Sequence, residues 1–297
     1  MMEIKDRFLD YLKYELNRSP LTVASYSEDF KMFEEYFQAL DGQPTWETID
    51  GDIIRNWMEQ MVDEGNSTTT VARRLSALKS LYRFALSHHL VEKDPTVSIR
   101  APKLKKPLPS FLQEDQMDRL LDSDHWGDDY KSTCARTVIM TFYETGIRRA
   151  ELIGLRDADV DFVNRQLKVT GKGNKQRIIP FGEELAETLR HYMSVRDEVV
   201  PKHKQENAFF LSEKGCRLGG SQVETMVKSH LRLVSSMKKL SPHVLRHTFA
   251  TAMLNHGAGI ESVRRLLGHA SASTTEIYTH TTFEQLKRVY QDAHPRA

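Results

Sequence analysis

The sequence predicts a mainly α-helical protein in two parts: an N-terminal helical bundle, then a mostly helical second domain carrying one small β-hairpin. Three observations carry that prediction. Residues 1–100 show apolar positions at helical spacing, segment after segment. Residues 101–111 form a proline-bearing basic stretch that reads as a linker. Residues 112–297 return to helical spacing, broken once by two β-prone runs around a glycine-rich turn.

The first helix lies within residues 3–17, where Ile4, Phe8, Leu9, Leu12 and Leu16 fall on one face. A second opens in "LTVASYSEDFKMFEEYF", with Thr22 as its expected N-cap and Tyr26, Phe30, Phe33 and Phe37 inward. A third, "ETIDGDIIRNWMEQMVDEG", stops near Gly65, a residue suited to ending a helix. The fourth, "STTTVARRLSALKSLYRFALSHH", turns Leu75, Leu78, Leu81, Tyr82 and Ala85 inward and Arg73, Arg74 and Lys79 outward. Prolines at 95, 102, 107 and 109 then stiffen an extended segment. In "RQLKVTGKGNKQRIIPF", residues 165–181, the strands Gln166–Thr170 and Gln176–Ile179 flank a turn with Lys172 at or near its tip.

A length of 297 residues suits two domains, and 39% hydrophobic with 28% charged residues is a normal globular balance. The N-terminus has no apolar signal-peptide core, and no run approaches the ~20 apolar residues of a membrane span, so the cytoplasm is the expected location. Cys134 and Cys216 stand in no metal-binding spacing and imply no disulfide framework. The net charge of +1 hides an asymmetry. Residues 1–70 hold 6 Lys+Arg against 15 Asp+Glu; residues 71–110 hold 9 against 2. The basic block suits a polyanion, and equally a solvated helix face with a linker.

Four polar stretches in the second domain carry chemistry. In "TGIRRAELIGL", Arg148 and Glu151 share one side of a helix start, which also describes a structural ion pair. Lys172 alone reads as a solvated turn lysine. In "LSPHVLRHTFAT", Ser241 fits an N-cap and Pro242 the first helical position, placing His243 and Arg246 on one face of a first turn. Free backbone N–H groups there favour an anion. In "RRLLGHASASTTEIYTH", His269 precedes Tyr278 by nine residues. What these stretches share is the chemistry of one phosphodiester. Two guanidiniums can fork its oxygens, a histidine can exchange a proton near neutrality, and a lysine can protonate a leaving alcohol. A tyrosine, with a free pKa of ~10, becomes a nucleophile when nearby cations lower the cost of its phenolate.

The set Arg148, Lys172, His243, Arg246, His269 and Tyr278, in this order and spacing, resembles the tyrosine recombinase (phage integrase) family. The likeness spans nearly the whole chain; "GKGNKQRIIPFG" and the run from "SPHVLRHTFAT" to the C-terminus are similar to the family's bacterial Xer branch. The resemblance implies a core-binding, SAM-like N-terminal domain that clamps DNA, and a catalytic domain over 112–297. It assigns Arg148 and Arg246 to the scissile phosphate, His269 to a hydrogen bond on it, and His243 to proton exchange with the nucleophile. Lys172 protonates the leaving 5′-hydroxyl, and Tyr278 forms a 3′-phosphotyrosyl bond. Arg73, Arg74 and Lys79 become the expected DNA-phosphate contacts.

It further implies no metal, no nucleotide and no other cofactor. The partners it implies are a double-stranded recombination site and a homo- or hetero-tetramer with a related recombinase on synapsed DNA; a septal DNA translocase stays open as activator. Chromosome-dimer resolution at cell division is the role expected of the Xer branch. A mobile-element integrase or invertase of the same family is the nearest alternative, and a catalytically silent DNA-binding protein the alternative of another class.

Overall fold

A computed structural model describes residues 3–103, 110–122, 124, 126–201, 207–268 and 280–297, with the backbone alone at Lys172 and at 280–283. The chain divides into two compact units, Met1–Pro107 and Leu108–Ala297. Most of the expected linker, residues 104–109, lies outside the described residues.

The first unit is built from α1 (Ile4–Asp10), α2 (Pro20–Gln38), α3 (Gly51–Asp63) and α4 (Thr68–Ser87). Helix α1 runs into a π turn over Tyr11–Glu15. That wider turn rotates the following side chains off the apolar face, so Leu16, expected inward, is exposed. The start of α2 also differs from expectation. Ser19, not Thr22, is the N-cap and accepts the Thr22 N–H at 3.2 Å, because Pro20 has no N–H to lose and fits the first helical position. Asp50 caps α3 and Ser67 caps α4 in the same way. Phe30, Phe33, Phe37, Trp46, Trp57, Leu75, Leu78, Leu81 and Tyr82 fill one aromatic-rich core.

A second correction falls on α4. Arg74 points inward at 9% exposure, its guanidinium against the sulfurs of Met61 and Met32 at 3.2 and 2.9 Å. The cause is Asp29, buried on α2, which Arg73 forks from one side and Arg74 approaches at 3.7 Å from the other. A buried carboxylate requires such compensation. Lys79 donates its ammonium to the Ile99 carbonyl at 2.7 Å.

The second unit contains α5 (Glu114–Leu121), α6 (Tyr130–Thr145), α7 (Arg149–Gly154), β1 (Val160–Asp161), β2 (Gln166–Thr170), β3 (Gln176–Pro180), α8 (Glu183–Val199), α9 (Gly220–Leu231), α10 (Pro242–Asn255), α11 (Ile260–Leu267) and α12 (His280–Ala293). The strands form an antiparallel sheet in the order β1-β2-β3, with Val169 opposite Arg177. The two-residue β1, unforeseen, adds a third strand to the expected hairpin. Helix α6 is buried along nearly its whole length. Thr137, Thr141 and Thr145 each satisfy their hydroxyl on the carbonyl four residues back, which lets polar residues enter this core.

Helix α12 packs on its own unit: Leu286, Tyr290 and Ala293 join Phe249, Met253, Leu266 and Leu267 in one apolar cluster. Beneath it lies Glu144 of α6, fully buried. Its Oε2 accepts from the Tyr290 hydroxyl at 3.2 Å and the Gly182 N–H at 3.3 Å, and Oε1 has no partner among the described residues. Burial, reinforced by Glu184 and opposed by Gly182, Tyr290 and Arg296, pushes the carboxyl from 4.5 up to about 8. A carboxyl whose folded value is raised stabilises the fold fully below 4.5, and that contribution is lost as pH rises to about 8. Between pH 5 and 8 the wild-type melting temperature is therefore expected to fall, relative to Glu144→Gln, by on the order of 5 °C. Parallel melting curves across that range contradict this account of Glu144.

Candidate active site

Three segments bring guanidiniums to the C-terminal end of α11. The first arrives where α6 ends at Gly146, in a left-handed conformation (φ +56°) with no room for a side chain: a Cβ would meet Phe249 Cδ1 at 2.5 Å. The chain passes Ile147 and places Arg148 at the N-cap of α7. Glu151, one turn on, accepts both the Arg148 backbone N–H and its Nη1, each at 2.8 Å. The ion pair considered from sequence is therefore present.

The second segment is the hairpin. Arg177 on β3 donates Nη1 and Nη2 to the two oxygens of the same Glu151 carboxylate at 2.6 and 2.9 Å. Burial works against ionising Glu151, but Arg177 and Arg148 outweigh it and hold the carboxyl below its ordinary range. The third segment is the first turn of α10, which Ser241 and Pro242 open as expected, although the Ser241 hydroxyl makes no capping bond. Arg246 is buried there and donates to the Gly146 carbonyl.

All three guanidiniums then reach successive carbonyls of α11. Arg177 Nε donates to Leu266 at 2.9 Å, Arg246 Nη2 to Leu267 at 2.7 Å, and Arg148 Nη2 to Gly268 at 2.8 Å. The last carbonyls of a helix lack partners within it and carry the negative end of its dipole, so cations seat there. Gly268 ends α11 at φ +64°, and a Cβ on it would press on Arg177 at 3.0 Å.

The electrostatics follow. Three guanidiniums meet one carboxylate, leaving two positive charges over among the described residues. Burial, then Arg148 and Arg177, push Arg246 down to about 10, so it stays charged at neutral pH in a repulsive setting. An anion bridging Arg148 and Arg246 relieves that repulsion. Arg148 keeps 37% of its side chain exposed and can still reach one.

The remaining sequence candidates divide. His243 is exposed on the first turn of α10, three residues before Arg246, with its ring 5.6 Å from that of His247. Burial, then His243 and Arg246, lower the His247 pKa. The backbone of Lys172 opens a single helical turn at the hairpin tip. The neck of that hairpin abuts the carboxylate: a Cβ on Gly171 would lie 3.1 Å from Glu151 Oε1. His269 and Tyr278 lie outside the described residues. Arg177 escaped the sequence reading. Its signal was its place two residues before Ile179, on the inward face of a strand where an arginine needs a buried partner.

Residues 110–285 match the phage integrase family, and residues 6–89 match the phage integrase N-terminal SAM-like domain. Among curated relatives, tyrosine recombinase XerC of Chlorobaculum tepidum is 37% identical, covering 98% of this chain and 94% of its own. Tyrosine recombinase XerD of Oceanobacillus iheyensis is 34% identical over 98% and 97% of the two chains. Among solved structures, the XerH site-specific recombinase in a post-cleavage complex with a palindromic difH substrate aligns with a TM-score of 0.72 at 22% identity, covering 95% of this chain and 82% of that one. A lambda integrase dimer bound to a core site aligns at 0.69 and 18% identity, over 93% and 98%. These two likenesses place the fold, mainly α with a small three-stranded sheet.

Proposed function

Since the chain belongs to the phage integrase family and is a tyrosine recombinase, we propose that Tyr278 is the nucleophile with which it cuts and rejoins DNA at a specific site, and that its cellular role is to resolve chromosome dimers at division. Arg148 and Arg246 grip the non-bridging oxygens of the scissile phosphate, and His269 adds a hydrogen bond to them. His243 takes the phenol proton as the tyrosine oxygen attacks phosphorus. Lys172 protonates the departing 5′-oxygen, leaving a 3′-phosphotyrosyl ester. The ester conserves the free energy of the broken bond, so the reverse attack by a 5′-hydroxyl reseals the strand without a nucleotide.

The observation that supports this reading most is the seating of Arg148 and Arg246 on adjacent carbonyls at the end of α11, immediately before His269. Preorganised cations of that kind stabilise developing phosphoryl charge and replace what metal ions supply elsewhere. The test is a nicked suicide substrate, from which the cut strand escapes and traps the ester. A covalent protein–DNA adduct is expected to form at undiminished rate in excess chelator; strict dependence on added magnesium contradicts the proposal.

DNA is the partner, and a tetramer on two paired sites, with identical or related subunits, is the proposed working assembly. A septal DNA translocase is its proposed activator. No described helix is long and apolar enough to cross a membrane, and the cytoplasm is the proposed location. On the N-terminal unit, the half-exposed Arg73 and the amine of Lys79 are the proposed phosphate contacts, and Arg74 acts from within by holding Asp29. Arg73→Gln with Lys79→Gln is expected to lower the slope of log affinity against log salt by about 1 per lost contact. An unchanged slope in a binding titration marks both as solvated bystanders.

A further inference from the structure

The reaction just proposed gives no task to Arg177, although its side chain is 6% exposed and its fork on Glu151 is the most enclosed charge pairing at the site, the carboxylate side chain being 3% exposed. We propose that Arg177 is a positioning residue for DNA cleavage: from β3 it fixes Glu151 and the end of α11, and thereby holds Arg148 and the approach to residue 269 in register. This rests on the recombinase reading.

Three observations converge on it. First, Arg177 supplies half of the donors to Glu151 among the described residues. Oε1 accepts from Arg148 Nη1 and Arg177 Nη1; Oε2 accepts from the Arg148 N–H and Arg177 Nη2. The carboxylate that orients Arg148 is thus itself oriented by Arg177. Second, the charge balance depends on it. With Arg177 present, the Glu151 charge is offset and two positive charges remain for the phosphate. Without it, Glu151 draws on Arg148 alone and the surplus halves, just where a transferring phosphoryl group concentrates negative charge. Third, Arg177 has another arm. A guanidinium that merely neutralised a buried acid needs only the two Nη donors, yet its Nε reaches the Leu266 carbonyl, and its stem lies where any side chain on Gly268 would sit. One residue therefore ties the hairpin that carries Lys172, the carboxylate behind Arg148, and the last turn before His269.

The inference is tested with the full-length chain on the suicide substrate, measuring the single-turnover rate of adduct formation at saturating protein, with DNA affinity and melting temperature alongside. Arg177→Gln is expected to slow adduct formation about 10- to 100-fold, the loss typical when the residue behind an active group is removed, while DNA affinity changes by no more than about twofold. Adding Glu151→Gln to that variant removes the carboxylate that would otherwise draw on Arg148 alone and is expected to restore part of the rate, a coupling that general loss of stability does not produce. Arg177→Lys, which keeps the charge but cannot fork, is expected to fall between wild type and Arg177→Gln, and carries the comparison if Arg177→Gln melts too low to assay. An unslowed Arg177→Gln, or a double variant slowed by the product of the two single losses, overturns the inference while the recombinase reading stands. A wild-type chain that forms no adduct overturns both.

Discussion

Tyr278→Phe is expected to form no covalent adduct on a nicked suicide substrate while binding the same DNA with unchanged affinity. The substitution removes one oxygen and keeps the ring, so on the proposed reading only the attacking atom is lost. Because the ester is the reaction's obligatory intermediate, no slower route replaces it, and the loss should exceed about 10⁴-fold, the scale seen when an essential nucleophile is deleted. Denaturing electrophoresis reads the adduct and a gel shift reads binding, on the same preparation. Adduct at wild-type yield moves the nucleophile to another residue. Loss of both adduct and binding shows instead that Tyr278 supports the fold or the DNA interface.

Arg246→Gln carries the second large effect, and its consequences divide between chemistry and stability. The guanidinium is buried and spans two carbonyls, Gly146 at the end of α6 and Leu267 at the end of α11. Glutamine is shorter, cannot fork, and brings no charge. If Arg246 serves the phosphate as proposed, loss of that one preorganised donor is expected to slow cleavage about 10²- to 10³-fold. Each carbonyl left without its donor costs about 1–3 kcal/mol, so the melting temperature falls as well. Arg246→Lys separates the two parts: it restores charge without the fork and should recover a minor share of the rate. A cleavage rate within about threefold of wild type in folded Arg246→Gln would remove Arg246 from the phosphate site.

Much of this was legible in the chain. Phe30, Phe33 and Phe37 repeat at helical spacing and are all buried, and the glycines at 171 and 173 mark the turn between β2 and β3. Such features depend on neighbours in sequence. What escaped depends on neighbours in space. Arg74 reads as a surface residue until Asp29, on another helix, is seen to need it. Strand β1, two residues long, has no period to detect and exists because β2 offers it an edge. Of the candidate site, residue types in order offered Arg148 and Arg246, which the structure brings together at the end of α11. The role of α11 was not legible, since its carbonyls carry no side-chain signature and become the seat only when Arg148, Arg177 and Arg246 arrive. Whether Ser19 or Thr22 capped α2 turned on Pro20, whose fit to the first helical position was the better guide.

The seat at residues 266–268 lies far downstream of the arginines at 148, 177 and 246 that converge on it. During synthesis the three guanidiniums therefore gain their common seat only once residue 268 has been made. A nascent or prematurely terminated polypeptide that stops before 266 possesses the cations without the anchor that sets them.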